Sequence, residues 1–353
     1  MLAKIFKVFL KSKFIFKNPD NRNLIIFDDV IFSELRLILE KKKYFLLKNR
    51  YENIDNIYIS LKVILNFIKF FKGNINTAYL ASIINLVNPK VVLTFHDNSP
   101  KFHDLAKMFN KKISFIAIQQ AARYDVIWKN YDYKKGFTKD LNKNFFLPIF
   151  LTFGLYEKKL YKNFNIDVKK FYTVGSLKLA NFLEFLKQKN KHKVKKKYDV
   201  CLVSDLPPGV DKAKFLKNEV EKIKDTVVDM TKNTILFCKK NKKKFIFSTK
   251  FKHGKEFKNE MNFYRQNLSK EDFAFLLKNS FKYKIRDAKS KYFNKDFSSY
   301  IAIFQSDVVI GNITSMLREK VSLGGKILAC NFTNLDIFDF PLKKFLLLKD
   351  GSY

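Results

Sequence analysis

The chain has 353 residues, 47% of them hydrophobic and 29% charged, with 69 Lys plus Arg against 33 Asp plus Glu, a formal net charge of +36. That length and hydrophobic share suit two globular cores of ordinary size and exclude a wholly disordered chain. Cys201, Cys238 and Cys330 stand far apart, in or beside apolar runs and with no CxxC or Cys/His spacing. This excludes a disulfide framework and a zinc centre and reads as buried thiols in a reducing compartment.

In chain order, Leu2, Ile5, Phe6, Phe9 and Leu10 fall on one helical face with Lys4, Lys7, Lys11 and Lys13 mostly beyond it. Such a helix lies on an anionic membrane surface or docks on its own domain. Leu24–Phe27 reads as the first buried strand, leading through Asp28-Asp29 into a helix ending near Glu40, and Tyr44–Leu47 as the second. Helical periodicity covers Ile57–Phe71 and Ala78–Leu86. Val91–Phe95 is a strand that ends in His96-Asp97-Asn98-Ser99 before a helix over Lys101–Phe109. Ile113–Ile118 follows, ending in Gln119-Gln120, then a loop-like stretch to about Asn144 and strands at Ile149–Phe153 and Tyr172–Val174.

The stretch QKNKHKVKKK at 188–197 is polar apart from Val194 and reads as a solvated linker. Beyond it the alternation restarts. Asp199–Val203 is a strand ending in Ser204-Asp205, with a turn at Pro207-Pro208-Gly209 and a helix over Asp211–Asn241. Phe245–Ser248 is a strand followed by Thr249, Lys250, Lys252 and His253, with helices near Lys255–Asn267 and Asp272–Lys278. Asp307–Ile310 is a strand running through Gly311 into a helix over Met316–Leu323, which Gly324-Gly325 stops before a strand at Lys326–Cys330. After the last strand-like run no helical pattern closes the chain, which reads as a second domain cut short.

Strands alternating with helices predict an α/β protein of two Rossmann-like domains facing across a cleft: 1–187, a basic linker at 188–197, and 198–353. Every apolar stretch is broken by Lys before the roughly 18 residues a membrane span needs, and no secretory signal is read. The expected location is cytoplasmic, peripheral on the inner face of the membrane. The excess charge is nearly all Lys and is spread along the chain. Lys, Asn, Ile and Phe share A/T-rich codons, so base composition accounts for much of it. Anionic lipid or nucleic acid would account for the remainder, and the latter predicts salt-sensitive binding.

The most informative stretch is Ser306–Cys330, SDVVIGNITSMLREKVSLGGKILAC. A strand passes into a helix whose first turn is small and hydroxylated, where free amides and the helix dipole favour an anion. Asn312, Thr314 and Ser315 would add donors to a diphosphate, and Glu319 would accept from ribose hydroxyls. The alternative is an ordinary capped helix.

This segment, with LTFHDNSPKFHDLAKMF, ISFIAIQQAAR and FYTVGSLK, resembles the bacterial surface-carbohydrate (surface polysaccharide) biosynthesis proteins of the GT-B glycosyltransferase type. It is more distantly similar to the CDP-glycerol glycerophosphotransferases. The resemblance implies a nucleotide-sugar or CDP-polyol donor in the second domain and a glycan or lipid-linked acceptor at the first, without a resident cofactor or metal. It implies donor contacts at Asn312, Thr314, Ser315 and Glu319, with Lys250, His253 and Ser204 near the donor phosphates. On the acceptor side it implies His96, Asn98, Gln119 and Arg123. A transfer that inverts the donor carbon needs a general base for the acceptor hydroxyl, and Asp97, then Asp28, are the expected candidates. Other readings are a nucleotide-sugar epimerase of the same architecture and a basic nucleic-acid-binding protein.

Overall fold

The structure is a computed structural model that describes residues 12–29, 32–39, 42–48, 56–97, 99–121, 146–163, 167–189, 194–205, 217–281 and 296–332. The amphipathic segment at 1–11, the turn at 207–209, the run after 332, and Asn98 and Arg123 lie outside the described residues. The described chain divides into two compact units, one running to Leu177 and the other from Lys178.

In the first unit, β1 (Lys13–Ile15) pairs in parallel with β4 (Asn56–Tyr58). The main sheet holds β2 (Leu24–Phe27), β3 (Phe45–Leu47), β5 (Val91–Thr94), β6 (Ser114–Ile118), β7 (Phe146–Thr152) and β8 (Asp167–Thr173), all parallel, in the order β3-β2-β5-β6-β7-β8. Ile25, Ile26 and Phe27 are fully buried, as expected of a parallel strand covered on both faces. At the edge, β8 exposes most of its sequence DVKKFYT, and lysines on an edge strand discourage further pairing.

Helices α1 (Phe32–Arg36), α2 (Leu61–Phe70), α3 (Ile75–Val87), α4 (Pro100–Phe109) and α5 (Leu155–Asn163) connect these strands. The continuous helical periodicity over 57–71 resolves into β4 and α2. Ser60 makes the break: its hydroxyl accepts from the Val63 amide at 3.1 Å and caps α2. Asn74 does the same for α3 through the Thr77 amide at 3.0 Å, and Asn88, at φ +51°, ends it in a left-handed cap.

The second unit begins with α6 (Leu177–Gln188) and contains β9 (Tyr198–Val203), α7 (Lys217–Lys240), β10 (Phe245–Ser248), α8 (Gly254–Asn267), α9 (Lys270–Lys278), α10 (Ser298–Phe304), β11 (Ser306–Gly311), α11 (Ser315–Ser322) and β12 (Lys326–Ala329). Its sheet is parallel in the order β10-β9-β11-β12. Successive residues of β9 serve opposite faces. Val200 and Leu202 pack with Val227, Met230 and Tyr264, while Cys201 and Val203 pack with Ala302, Ile303 and Leu317.

The boundary between units falls ahead of the lysine-rich stretch at 188–197, because α6 is held by aromatic stacking within the second unit. Phe182 stacks on Tyr300 and Phe304 at 5.2 and 5.7 Å, and Phe185 on Phe297 at 5.0 Å. At the opposite end of the fold's second sheet from its carboxyl edge, Lys320 is buried. Its Nζ donates to the carbonyls of Ile303 and Ser306 at 2.9 Å each. Lys196 donates to the same Ser306 carbonyl.

Candidate functional site

Ligands of open α/β sheets gather at the carboxyl edge where successive crossovers go to opposite sides. In the second unit that point lies between β9 and β11, and the chain there supplies Ser204-Asp205 and Asn312–Ser315. Asp205 is buried. Its Oδ2 accepts from the Asn312 amide at 2.5 Å, and the amides of Ile313 and Thr314 bond the same carboxylate. Burial raises its pKa to about 6, opposed by these amides and by Lys250. Gly311 admits this close approach, since a Cβ there would meet Asp205 Oδ2 and Thr314 Cγ2 at 3.2 Å.

Asp205 therefore takes three amides that the sequence reading offered to a donor phosphate. Asn312 is also turned inward: its Nδ2 donates to the Cys330 carbonyl at 2.6 Å and ties the ends of β11 and β12. Ser204 Oγ pairs with the Tyr264 hydroxyl at 2.9 Å, and Glu319 Oε1 accepts from the Tyr300 hydroxyl at 3.1 Å. Both are buried. Thr314 caps α11 by accepting from the Met316 amide at 3.3 Å, and with Ser315 it stays partly exposed, while Lys250 and His253 are exposed.

Glu260 was not singled out from sequence, yet it shapes this edge. It is buried on α8 and its two carboxylate oxygens accept from the Lys250 and Phe251 amides at 2.9 Å each. The loop after β10 is thereby fixed. Although Lys250 is exposed along its side chain, the enclosure of its ammonium lowers its pKa, against the upward pull of Asp205 and Glu260.

In the first unit the corresponding point lies between β2 and β5. Asp28, the residue after β2, is buried with φ +74°, and its amide donates to the Leu47 carbonyl at 2.9 Å. His96, two residues after β5, brings Nδ1 to 3.7 Å from Asp28 Oδ2, and its side chain is 24% exposed. Thr94 fixes the two strand ends: its hydroxyl donates to the Phe27 carbonyl and accepts from the His96 amide, both at 3.0 Å.

Asp97, the expected base, has no exposed surface. It accepts from the Gln120 amide at 3.4 Å and from the Tyr161 hydroxyl at 3.3 Å. A carboxylate enclosed in this way does not meet an acceptor hydroxyl, so its place is structural. Gln119 is likewise internal, accepting from the Phe153 amide at 2.8 Å and donating to the Ala121 carbonyl at 2.9 Å. Behind Asp97, His103 is buried and donates from Nδ1 to the Phe146 carbonyl at 3.1 Å. Burial lowers its pKa to about 4 and keeps it neutral.

No family model and no curated protein matches the chain. Among solved structures it is similar to the wall teichoic acid polymerase TagF, at 10% identity over 88% of this chain and 70% of that one, with a TM-score of 0.43. It is similar also to the apo form of the lipopolysaccharide outer core galactosyltransferase WaaB, at 11% identity over 92% of this chain and 83% of that one, with a TM-score of 0.36. At these values neither likeness assigns an activity to this chain.

Proposed function

We propose that the chain is a GT-B-type transferase that moves a sugar or polyol phosphate from a nucleotide-activated donor to a surface polysaccharide or lipid-linked acceptor. The observation that carries the reading is the His96–Asp28 pair, 3.7 Å apart at the carboxyl edge of the first sheet. His96 is the partly exposed member and receives the proton of the acceptor hydroxyl, while Asp28 orients the imidazole and stabilises the imidazolium that forms. The leaving nucleotide phosphate is met at the second sheet by Lys250 and the hydroxyls of Thr314 and Ser315. Asp205 and Glu260 act as positioning residues, holding the loops that carry those groups. The donor is a substrate, and the reading calls for no resident cofactor.

The test is thermal stabilisation by CMP, CDP, UDP, GDP and ADP, since a ligand that binds only the folded state raises its stability. One nucleotide is expected to raise the midpoint in the wild type and to lose most of that effect in Lys250→Gln. Absence of a response to all five overturns the reading.

A further inference from the structure

Helix α2 carries apolar residues on two opposite faces. Val63 is buried, with Asn66, Phe67 and Phe70 partly so, and Phe70 meets Phe109 at a centroid distance of 5.5 Å. This inner face is enough to dock the helix on α3 and α4. On the other side Leu61, Leu65 and Ile68 are 72, 56 and 64% exposed, and Ile64 is exposed too. At roughly 100° per residue these four side chains lie within an arc of about 100°, opposite the inner face. Phe71 and Ile75 prolong the apolar surface past the end of the helix.

Phe16 extends it at the other end. That residue, 79% exposed, follows β1, where Ile15 pairs with Tyr58 and Asn18 accepts from the Ser60 hydroxyl at 2.7 Å. A run of large apolar side chains along one helix is more than the scattered exposure of an ordinary surface.

The charge around the stripe identifies what it fits. Lys62 and Lys69 border it on one side of the helix, Lys72 follows, and the sequence has no Asp or Glu between Asp55 and Asp97. An apolar ridge bordered by lysines and free of acids complements a surface that is anionic outside and hydrocarbon beneath. We infer that the outer face of α2, with Phe16, Phe71 and Ile75, is a docking surface for a bilayer rich in anionic phospholipid. The ridge enters the headgroup boundary and the lysines bind the headgroup phosphates. The inference goes beyond the transferase reading and does not depend on it.

The experiment is flotation of the full chain with neutral phosphatidylcholine vesicles and with vesicles containing phosphatidylglycerol. The wild type is expected to float with the anionic vesicles only, and less as salt is raised. Leu61→Gln/Leu65→Gln/Ile68→Gln should weaken binding by about 100-fold, since the ridge loses its apolar area. Lys62→Gln/Lys69→Gln should weaken it by about 10-fold. The replaced side chains are exposed, so the melting midpoint and nucleotide response should stay at wild-type values. This separates failure of the surface from failure of the donor site.

No flotation of the wild type overturns the proposal. So does undiminished flotation of the triple variant, which would place lipid binding elsewhere, such as residues 1–11. A concentration-dependent rise in mass that the triple variant abolishes, without lipid binding, would make the face an interface between copies and overturn it too.

Discussion

At the carboxyl edge of the first sheet, Asp28 and His96 face each other at 3.7 Å with the imidazole partly open to solvent. At the corresponding edge of the second sheet, Asp205 is drawn into the backbone, and three amides close on its carboxylate. The crossover topology is the same in the two places and its use is opposite. In one unit the chain leaves a partly exposed imidazole beside a buried carboxylate. In the other it fills its own anion cradle with an internal carboxylate, and the proposed phosphate contacts are left to Lys250 and the hydroxyls of Thr314 and Ser315. A helix start of suitable composition is thus not enough to mark a phosphate site, because an internal carboxylate competes for the same amides.

The sharpest way to break the comparison is at the partly exposed member of the first pair, His96. His96→Gln is expected to lower the transfer rate by about 10²–10⁴-fold, the usual contribution of a general base, while nucleotide stabilisation is retained. Initial rates of nucleotide release in the presence of acceptor read the first effect and melting shifts the second. Equal loss of both would mean that His96 serves binding or folding rather than proton transfer.

The next test uses acid, because buried His103 in the first unit and buried Asp205 in the second respond to pH with opposite signs. His103 has its pKa lowered from 6.5 to about 4. It is neutral when folded and protonates in the unfolded chain, so stability is lost as pH falls from about 6.5 to 4. Asp205 has its pKa raised from 3.8 to about 6. Its burial costs nothing while both states are protonated, and stability is lost as pH rises from about 4 to 6. Each contribution is about 3 kcal/mol when complete. Hydrogen exchange should show the first unit weakened by His103 on acidification and the second strengthened by Asp205. His103→Gln should remove the first slope, and Asp205→Asn the second.

Smaller effects sharpen the picture of the second edge. Glu260→Gln keeps one acceptor but turns an amide group toward a backbone N–H, and should cost about 1.5–3 kcal/mol in denaturant unfolding. It should also weaken nucleotide binding, because the Lys250 loop is no longer held. Gly311→Ala should cost about 1 kcal/mol, through the 3.2 Å contacts its Cβ would make with Asp205 and Thr314.

Much of the fold is legible in local sequence. Leu24–Phe27 and Phe245–Ser248 are short apolar runs whose limits coincide with the observed strands. The first residues of β8 escape such reading, because an edge strand of sequence DVKKFYT has no apolar face to announce it. β4 is hidden because its residues continue the helical period of α2, and only the capping hydroxyl of Ser60 separates them. The candidate site is less legible, and the reason is distance along the chain. Asp205 reaches Asn312 across 107 residues, and no local pattern announces that contact. An acid two residues past the first strand of a Rossmann-like unit is the local signal that points to it. His96 and Asp28 were visible as strand-end polar residues, but their pairing depends on β2 and β5 being neighbours.

The buried Lys320 ties two positions into a single inheritable choice. A Cβ on Gly325 would overlap Lys320 Cε and Cδ, so the lysine's path to the Ile303 and Ser306 carbonyls runs through the space a larger residue would fill. Among relatives the two positions should drift together: lineages that replace Gly325 should also carry a shorter residue at 320. A library randomised at both sites should recover the same linkage in its folded members.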